Sequence, residues 1–518
     1  MKTFLLFTFF FLGFIVHSQT WSGEVASIFY NKCAKCHNPA GISTTPLTTF
    51  VEVSPLAAAI QSYVTDDEMP PWPPSKTYQT YQHDRSLTAS EKATILTWIG
   101  LGAPEGDASS TPPIPIFSVG ALLGAGDLEV RIPTYMSKAS ALSDDYACFS
   151  VPSGLLVDRK IKSIEIIPGN RQIVHHALIY VDPAGTEVTD SIGGNCSSPS
   201  NLTTVLIAGY TPGASPMTLP TTSPLKLGMS LPAGSNIYFN MHYPNGTYGE
   251  FDSTKVIFHF YPIGETGIRE VFAGRIIENW AFNLPPNVLT TVTDSYPALG
   301  NNMSILSVFP HQHMIGKSIK AFGITPALDT LRFIDIPKWD FHWQDFYFFK
   351  NIVKAPAGTI INGIGVYDNT ASNPHNPNSP PIAIGPGLNT SDEMFLVYFH
   401  YMLYQAGDET YDLQALMGAA LKEITKDEIG DVVISPNPSI DETIISLEAI
   451  VGDNLSMYIY DAQGNVVNKL VSNSKVTSKN VQIGWDGKNE QGISVHKGLY
   501  FVSINLNGKL LTKRIIRL

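Results

Sequence analysis

The sequence predicts a multidomain fold: a small all-α unit, then a long and mainly β region, then a small β unit at the end. Three observations carry this expectation. At about 150 residues per domain, 518 residues make three or four domains, and 44% hydrophobic against 15% charged residues leaves apolar side chain for several cores. The 41 Gly and 37 Pro, with 22 Tyr and 26 Phe, fit many short strands joined by turns. Periodicity also changes along the chain, from a helical stripe before residue 107 to strict alternation after about 115.

Residues 1–18 read as a signal peptide: Lys2 gives a positive start, 4–16 is an apolar run, and Val16 and Ser18 suit the small-residue cleavage rule. The run is too short for a membrane span, which needs about 20 apolar residues. The mature chain is therefore expected to be secreted or attached to the cell surface. In 19–107, Thr88 and Glu91 form a capping box, Ile95, Leu96 and Ile99 make the apolar stripe, and Gly100 and Gly102 close the helix. A Ser/Thr/Pro-rich linker follows at 108–117. Alternating runs such as Leu128-Glu129-Val130-Arg131-Ile132 continue to about 425. Near the end, Asn507-Gly508 between two alternating runs predicts a hairpin. The net charge of −12, with no Lys/Arg run before the last few residues, argues against a nucleic-acid partner.

Cys33-Ala-Lys-Cys36-His37 has the spacing of c-type haem attachment, in which two thiols bind the macrocycle and the histidine becomes an iron ligand. A redox dithiol would want a βαβ setting and zinc a second ligand pair nearby, and neither is present. Met69, in Asp67-Glu68-Met69-Pro70-Pro71-Trp72, is a candidate sixth ligand, with His83 as the alternative. Residues 28–106, with the CxxCH, the Met-Pro-Pro-Trp and the closing Trp98-Ile99…Gly102-Ala103-Pro104, resemble bacterial c-type cytochrome domains fused to secreted enzymes. The resemblance implies a haem domain at 19–107, one covalent haem c, and Met69 as axial ligand.

Five of the 13 histidines fall in three groups: His175-His176, His242, and His311-Gln312-His313. At i, i+2 on a strand, His311 and His313 leave from one face, a geometry that chelates a metal. Adjacent His175 and His176 would leave a regular strand on opposite faces, so sharing a metal requires a bend or bulge there. His259, His342, His375, His400 and His496 read as ordinary hydrogen-bonded residues.

Four motifs occur in order: Ile173-Val174-His175-His176, Phe239-Asn240-Met241-His242-Tyr243, His311-Gln312-His313-Met314-Ile315-Gly316-Lys317 and Ser391-Asp392-Glu393-Met394. Over about 118–424 they resemble the type II copper, ascorbate-dependent monooxygenases, the peptidylglycine α-hydroxylating and dopamine β-monooxygenase family. The resemblance implies two jelly-roll β-sandwiches, at 118–265 and 266–424, with one copper ion in each, facing across a solvent cleft. It places one copper on His175, His176 and His242, and the other, which activates dioxygen, on His311, His313 and Met394. Imidazole and thioether without an oxygen ligand suit copper cycling between its two oxidation states. The resemblance also implies a disulfide, for which Cys148 and Cys196 are the candidates in an exported chain. At three positions where peptidylglycine-type members hold a substrate carboxylate, this chain has Phe309, Leu396 and Tyr398. Only the tyrosine matches, so guanidinium recognition of a carboxylate is not expected.

Residues 430–518, with Ser435-Pro436-Asn437-Pro438-Ser439, Ile459-Tyr460-Asp461-Ala462-Gln463-Gly464, Gly498-Leu499-Tyr500-Phe501-Val502 and a final Lys513-Arg514, resemble the C-terminal sorting domain of the type IX secretion system of Bacteroidota. That resemblance implies a small β-sandwich and the type IX machinery as partner. The other reading is a generic immunoglobulin-like surface- or carbohydrate-binding module. Together the segments imply a secreted copper monooxygenase that takes dioxygen, a reductant and a small-molecule or peptide substrate, with electrons passing through the haem. The alternative is a non-enzymatic extracellular electron-transfer or copper-binding protein that keeps the metal sites.

Overall fold

The computed structural model describes residues 19–39, 41–115, 121–141, 143–192, 196, 199–201, 203–387, 389–426, 432–449, 451–461, 465–478, 480–506 and 509–518. The expected signal peptide, the linker end at 116–117, Ala462-Gln463-Gly464 and the Asn507-Gly508 turn lie outside these residues. The chain divides into two compact units, 1–418 and 419–518.

The first unit opens with short helices, including Ala26–Lys32, Ala57–Thr65 and Ala89–Gly100. Thr88 caps the last of these, its hydroxyl accepting from the Glu91 amide while the Glu91 carboxylate accepts from the Thr88 amide. The helix stops where Gly102 turns left-handed at φ 84°, a conformation glycine adopts without strain. Trp21, Phe29, Ile95 and Trp98 are buried in one core.

Two pairs of sheets follow. In the first pair, a four-stranded sheet in the order Asp145–Pro152, Asn236–Tyr243, His176–Asp182, Val205–Tyr210 packs on a larger sheet that includes Leu128–Arg131, Arg159–Ile167, Leu225–Leu231 and Lys255–Phe260. Ala147, Phe149, Ile179 and Phe239 from the one meet Val130, Ile164, Leu227 and Phe258 from the other. In the second pair, Phe272–Asn279, Phe395–Leu403, Met303–His311 and Tyr347–Ala355 form one sheet; Leu289–Tyr296, Ile360–Asp368, Gly316–Ile324 and Thr330–Ile336 form the other. Their shared core includes Val308, Phe395 and Phe399 against Ile319, Phe333 and Ile361.

Strand alternation then decides where the histidines go. Side chains two apart share a face, so when Ala177 and Ile179 point into the first core, His176, Leu178 and Tyr180 point the other way. By the same rule Phe309 and His311 point away from the second core, as do Met394, Leu396 and Tyr398. These two outer faces meet: Leu178, Tyr180, Tyr238, Phe309, Met394, Leu396 and Tyr398 form a single buried cluster. The expected metal ligands thus lie along a seam between two sheets.

In the second unit, Val433–Ser435, Thr443–Glu448 and Asn480–Trp485 form one sheet, and Val466–Lys475, Asn454–Asp461, Gly498–Leu506 and Lys509–Arg517 the other. Ile445, Met457, Trp485, Val502 and Ile515 fill the space between them. The last two strands pair antiparallel from Leu506↔Lys509 outward, as the hairpin signal predicts.

Candidate metal centres and haem-attachment segment

His242 lies opposite His176 in the antiparallel ladder. Regular strand begins only at His176; His175 stands one residue before it, after a turn at 171–173, with its amide bonded to the His242 carbonyl at 3.0 Å. This break is the departure from regularity that two adjacent histidines need to meet. One ring nitrogen from each of His175, His176 and His242 lies within 4.8 Å of the others.

Their nitrogens can be told apart by partner. The Asp144 carboxylate accepts from His242 Nε2 at 2.9 Å, which leaves Nδ1 to accept from His176. That Nδ1 is 3.1 Å from His176 Nδ1, close to the separation of two ligands about 2.0 Å from one metal. The buried Nδ1 of His175 has no partner. Burial lowers all three basicities, His175 to about 4 and the other two well below the usual histidine value, so the rings are neutral donors at pH 7. The Tyr146 ring stacks on His242 at 4.4 Å and 2°.

In the second sheet pair, His311 ends its strand opposite Leu396. Its Nδ1 is 2.6 Å from Gln344 Oε1, and the Gln344 amide nitrogen donates to the Phe341 carbonyl at 2.7 Å. The amide oxygen must therefore accept, His311 carries its proton on Nδ1, and Nε2 is bare. His313 Nδ1 donates to the Asp392 carbonyl at 3.1 Å, and the ring has a further backbone hydrogen bond to Asn389. Burial lowers His311 to about 4 and, with His311 beside it, His313 to about 3.

Glu393 fixes the approach of the methionine. Burial pushes its carboxyl up to about 8 against four backbone N–H groups that favour the charged form, those of His313, Ile315, Met394 and Gly316. The residue before Met394 thereby ties that segment to the HxH turn. Met394 is buried, and with Leu396, Tyr398, Arg275, Glu278 and Trp280 it lines a cavity of about 140 Å³. Arg275 stands opposite Tyr398 in the ladder and pairs with Glu278 at 2.9 Å.

Sequence reasoning missed several of these groups. Asp144 and Arg275 are single residues with no local pattern, and only strand register brings them to their histidine and tyrosine. Position 309 carries no arginine, yet a guanidinium does line the cavity, supplied by the strand on the far side of Tyr398. The stretch 339–345 was also missed. Phe341 sits 6.5 Å from both His176 and His242 and 5.8 Å from His313, ring centre to ring centre. An aromatic side chain thus stands against both clusters where the family resemblance implies solvent. His342, read as an ordinary residue, is bonded to Asp340 but reaches within 5.6 Å of His175. Cys148 and Cys196 are joined, with Cα atoms 5.8 Å apart.

In the front segment, Cys33 caps the helix Ala26–Lys32, and the amides of Cys36 and His37 both donate to its carbonyl. This tight turn presents all three motif residues together. His37 Nδ1 donates to the Thr45 carbonyl at 2.8 Å, a bond of the kind that orients ligand histidines. Burial pushes the Cys33 thiol up to about 12; an active dithiol wants the opposite shift. Met69 is 42% exposed. His83 lines a small cavity with Trp72, Arg85 and Asp345, and burial, with Lys35 and Arg85 nearby, lowers its basicity. Each remains a candidate sixth ligand.

A family model for the FlgD Ig-like domain matches residues 442–509, within the last unit. No curated protein matches the chain. Among solved structures, PorZ, a surface component of the type IX secretion system of Porphyromonas gingivalis, is 20% identical over 17% of this chain and 11% of its own, with TM-score 0.13. Dimeric latent PorU from Porphyromonas gingivalis is 10% identical over 72% of this chain and 34% of its own, with TM-score 0.15. The chain therefore spans about a tenth and a third of their lengths, and overlap this low carries no argument about fold or role. The described part is a mostly β protein of several sheets with a few helices, and no described helix is long and apolar enough to cross a membrane.

Proposed function

We propose that the chain is an exported copper-dependent monooxygenase that hydroxylates a C–H bond, with electrons supplied through a covalent haem c and export completed by the type IX machinery. The observation that carries the reading is the sorting of ring nitrogens: His242, His311 and His313 each have one nitrogen held by an outer acceptor, the Nδ1 atoms of His242 and His176 face each other at 3.1 Å, and His175 holds a buried nitrogen with no partner. Ligand histidines are oriented in this way by outer partners. Copper held there would supply chemistry between two oxidation states; overall, a C–H bond, dioxygen, two electrons and two protons give a C–OH bond and one water.

The chain's own groups supply the rest. His175, His176 and His242 make one ligand set, and His311, His313 and the Met394 thioether the other. Cys33, Cys36 and His37 hold the haem. Tyr398 and Arg275 face the cavity beside Met394 and orient a small substrate there, in a lining that is part polar (Ser200, Thr204) and part apolar (Leu396, Trp280). Metal analysis and oxygen consumption test the reading. Two copper ions per haem and ascorbate-driven oxygen uptake are expected, the uptake rising with a small apolar or peptide substrate. Zinc in place of copper, or no haem after expression with cytochrome c maturation, overturns it. Met69→Ala and His83→Ala, compared by haem spectrum, identify the sixth ligand.

The second reading, a non-enzymatic electron-transfer or copper-binding protein, is favoured by Phe341, whose ring occupies space between the clusters that a bulky substrate would need. Copper and haem in the same ratio, without substrate-dependent oxygen uptake, would select it.

A further inference from the structure

The seven residues 339–345, between the strands Thr330–Ile336 and Tyr347–Ala355, touch three parts of the molecule. Toward the second cluster, the Trp339 indole donates to the His313 carbonyl at 3.2 Å, and Gln344 accepts the Nδ1 proton of His311 at 2.6 Å. Toward the first cluster, Phe341 and His342 lie against its rings. Toward the haem-attachment segment, the Trp343 indole donates to the Pro71 carbonyl at 2.6 Å, and Asp345 pairs with Arg85 at 2.7 Å. Arg85 also lies over the Trp343 ring at 5.4 Å. Trp343 and Asp345 flank Gln344 on either side, so the front segment grips the backbone that carries the partner of His311.

We propose that Gln344 is a positioning residue for His311, and that docking of the haem-attachment segment through Pro71 and Arg85 holds Gln344 in place. The inference rests on the copper reading of the HxH cluster. Gln344 is buried and can satisfy both ends of its amide only in one orientation, because its nitrogen is taken by the Phe341 carbonyl. Its oxygen therefore selects the Nδ1–H form of His311 and turns Nε2 toward the metal side. Residues 68–86 then do two jobs: they follow the CxxCH in the front unit, and they brace one ligand of a metal site in another part of the fold.

The test is a copper(I) competition titration of the full-length mature chain with a chromophoric chelator, counting sites and measuring each affinity. The site lost in His311→Ala identifies the second cluster. Gln344→Met, which removes the acceptor, is expected to weaken that site about 10- to 100-fold, the usual scale for an outer partner of a ligand histidine. Gln344→Glu keeps the acceptor toward His311 but loses the donor to the Phe341 carbonyl, and is expected to bind copper more tightly than Gln344→Met and less tightly than wild type. Trp343→Phe, which removes the bond to Pro71 and shrinks the ring beneath Arg85, should weaken the same site by a smaller factor. The three-histidine site should keep its affinity in all three variants and serves as the control for folding. Equal weakening of both sites, unchanged affinity in Gln344→Met, or an affinity in Gln344→Glu no higher than in Gln344→Met would overturn the proposal. A wild-type chain that binds no copper at His311 removes the copper reading itself, an outcome distinct from these.

Discussion

The two histidine clusters are built on the same kind of element, a strand at the seam between two sheets, yet their outer nitrogens are held differently. In the first cluster a carboxylate, Asp144, holds His242. In the second, an amide oxygen and a backbone carbonyl hold His311 and His313, and the buried carboxyl of Glu393 spends its oxygens on backbone amides. A carboxylate partner makes an imidazole a stronger donor and favours the higher charge on a bound metal. Neutral partners, with a thioether nearby, favour the lower charge. One fold element thus supplies two sites of unlike electronic character, and what separates them is which loop arrives from outside the strand.

The largest expected effect breaks the second site alone. Because loss of an outer partner already costs about 10- to 100-fold in metal affinity or activity, loss of a ligand should exceed about 100-fold. Met394→Ala should therefore abolish oxygen uptake, while copper stays bound at His175, His176 and His242. Metal analysis after dialysis checks this; loss of both coppers would show that the clusters are not independent.

The next effect falls on the first sheet pair. Cys148 sits on the strand next to the one carrying His242, and its bridge to Cys196 spans 48 residues. Closing a loop of that size is worth about 4 kcal/mol in the chain-entropy account. The double variant Cys148→Ala, Cys196→Ala should lower unfolding stability on that scale in urea, and should weaken copper at the first cluster more than at the second.

Acid should act on both clusters once metal is removed. Burial holds His311 at about 4, and His313 and His400 at about 3, against about 6.5 for a free imidazole. Between those values the unfolded chain takes up protons that the folded chain refuses. Stability is therefore full above pH 6.5 and is lost as pH falls toward the folded values, by about 1.4 kcal/mol per pH unit for each such ring. Urea unfolding of the metal-free chain at pH 7, 6 and 5 measures the slope. His400→Phe removes a ring that is no proposed ligand and should flatten it by about one proton.

What could be read from sequence follows the range of the interaction involved. The Thr88–Glu91 cap is set by residues three apart, and the meeting of His175 with His176 turns on one local break in a strand. The HxH pair needs only the period of a strand. Asp144, Gln344, Phe341 and Arg275 reach their partners by tertiary approach, and nothing in their neighbours marks them. Gln344 is 33 positions from His311 and Asp144 is 98 from His242. Arg275 shows the same limit from the other side: a missing arginine at 309 was legible, but a guanidinium arriving from another strand was not.

The smallest effect tests the contrast directly. Asp144→Asn keeps the shape of the side chain and an oxygen that accepts from His242 Nε2, but removes the charge. If the carboxylate makes His242 a stronger donor, copper(II) affinity at the first cluster should fall about tenfold, whereas copper(I), which depends less on donor charge, should fall less. The reduction potential of that copper should therefore rise, while the second cluster, whose partners are neutral already, should not move. Copper(II) and copper(I) competition titrations of the same protein give both affinities, and their ratio gives the shift. Asn245, whose backbone amide donates to the other Asp144 oxygen at 2.8 Å, loses that bond in the variant, because an asparagine has a single amide oxygen, so one neutral hydrogen bond goes together with the charge. Equal loss of both copper states would mean that Asp144 acts only by orienting the ring, and the electronic contrast between the clusters would have to come from the methionine alone.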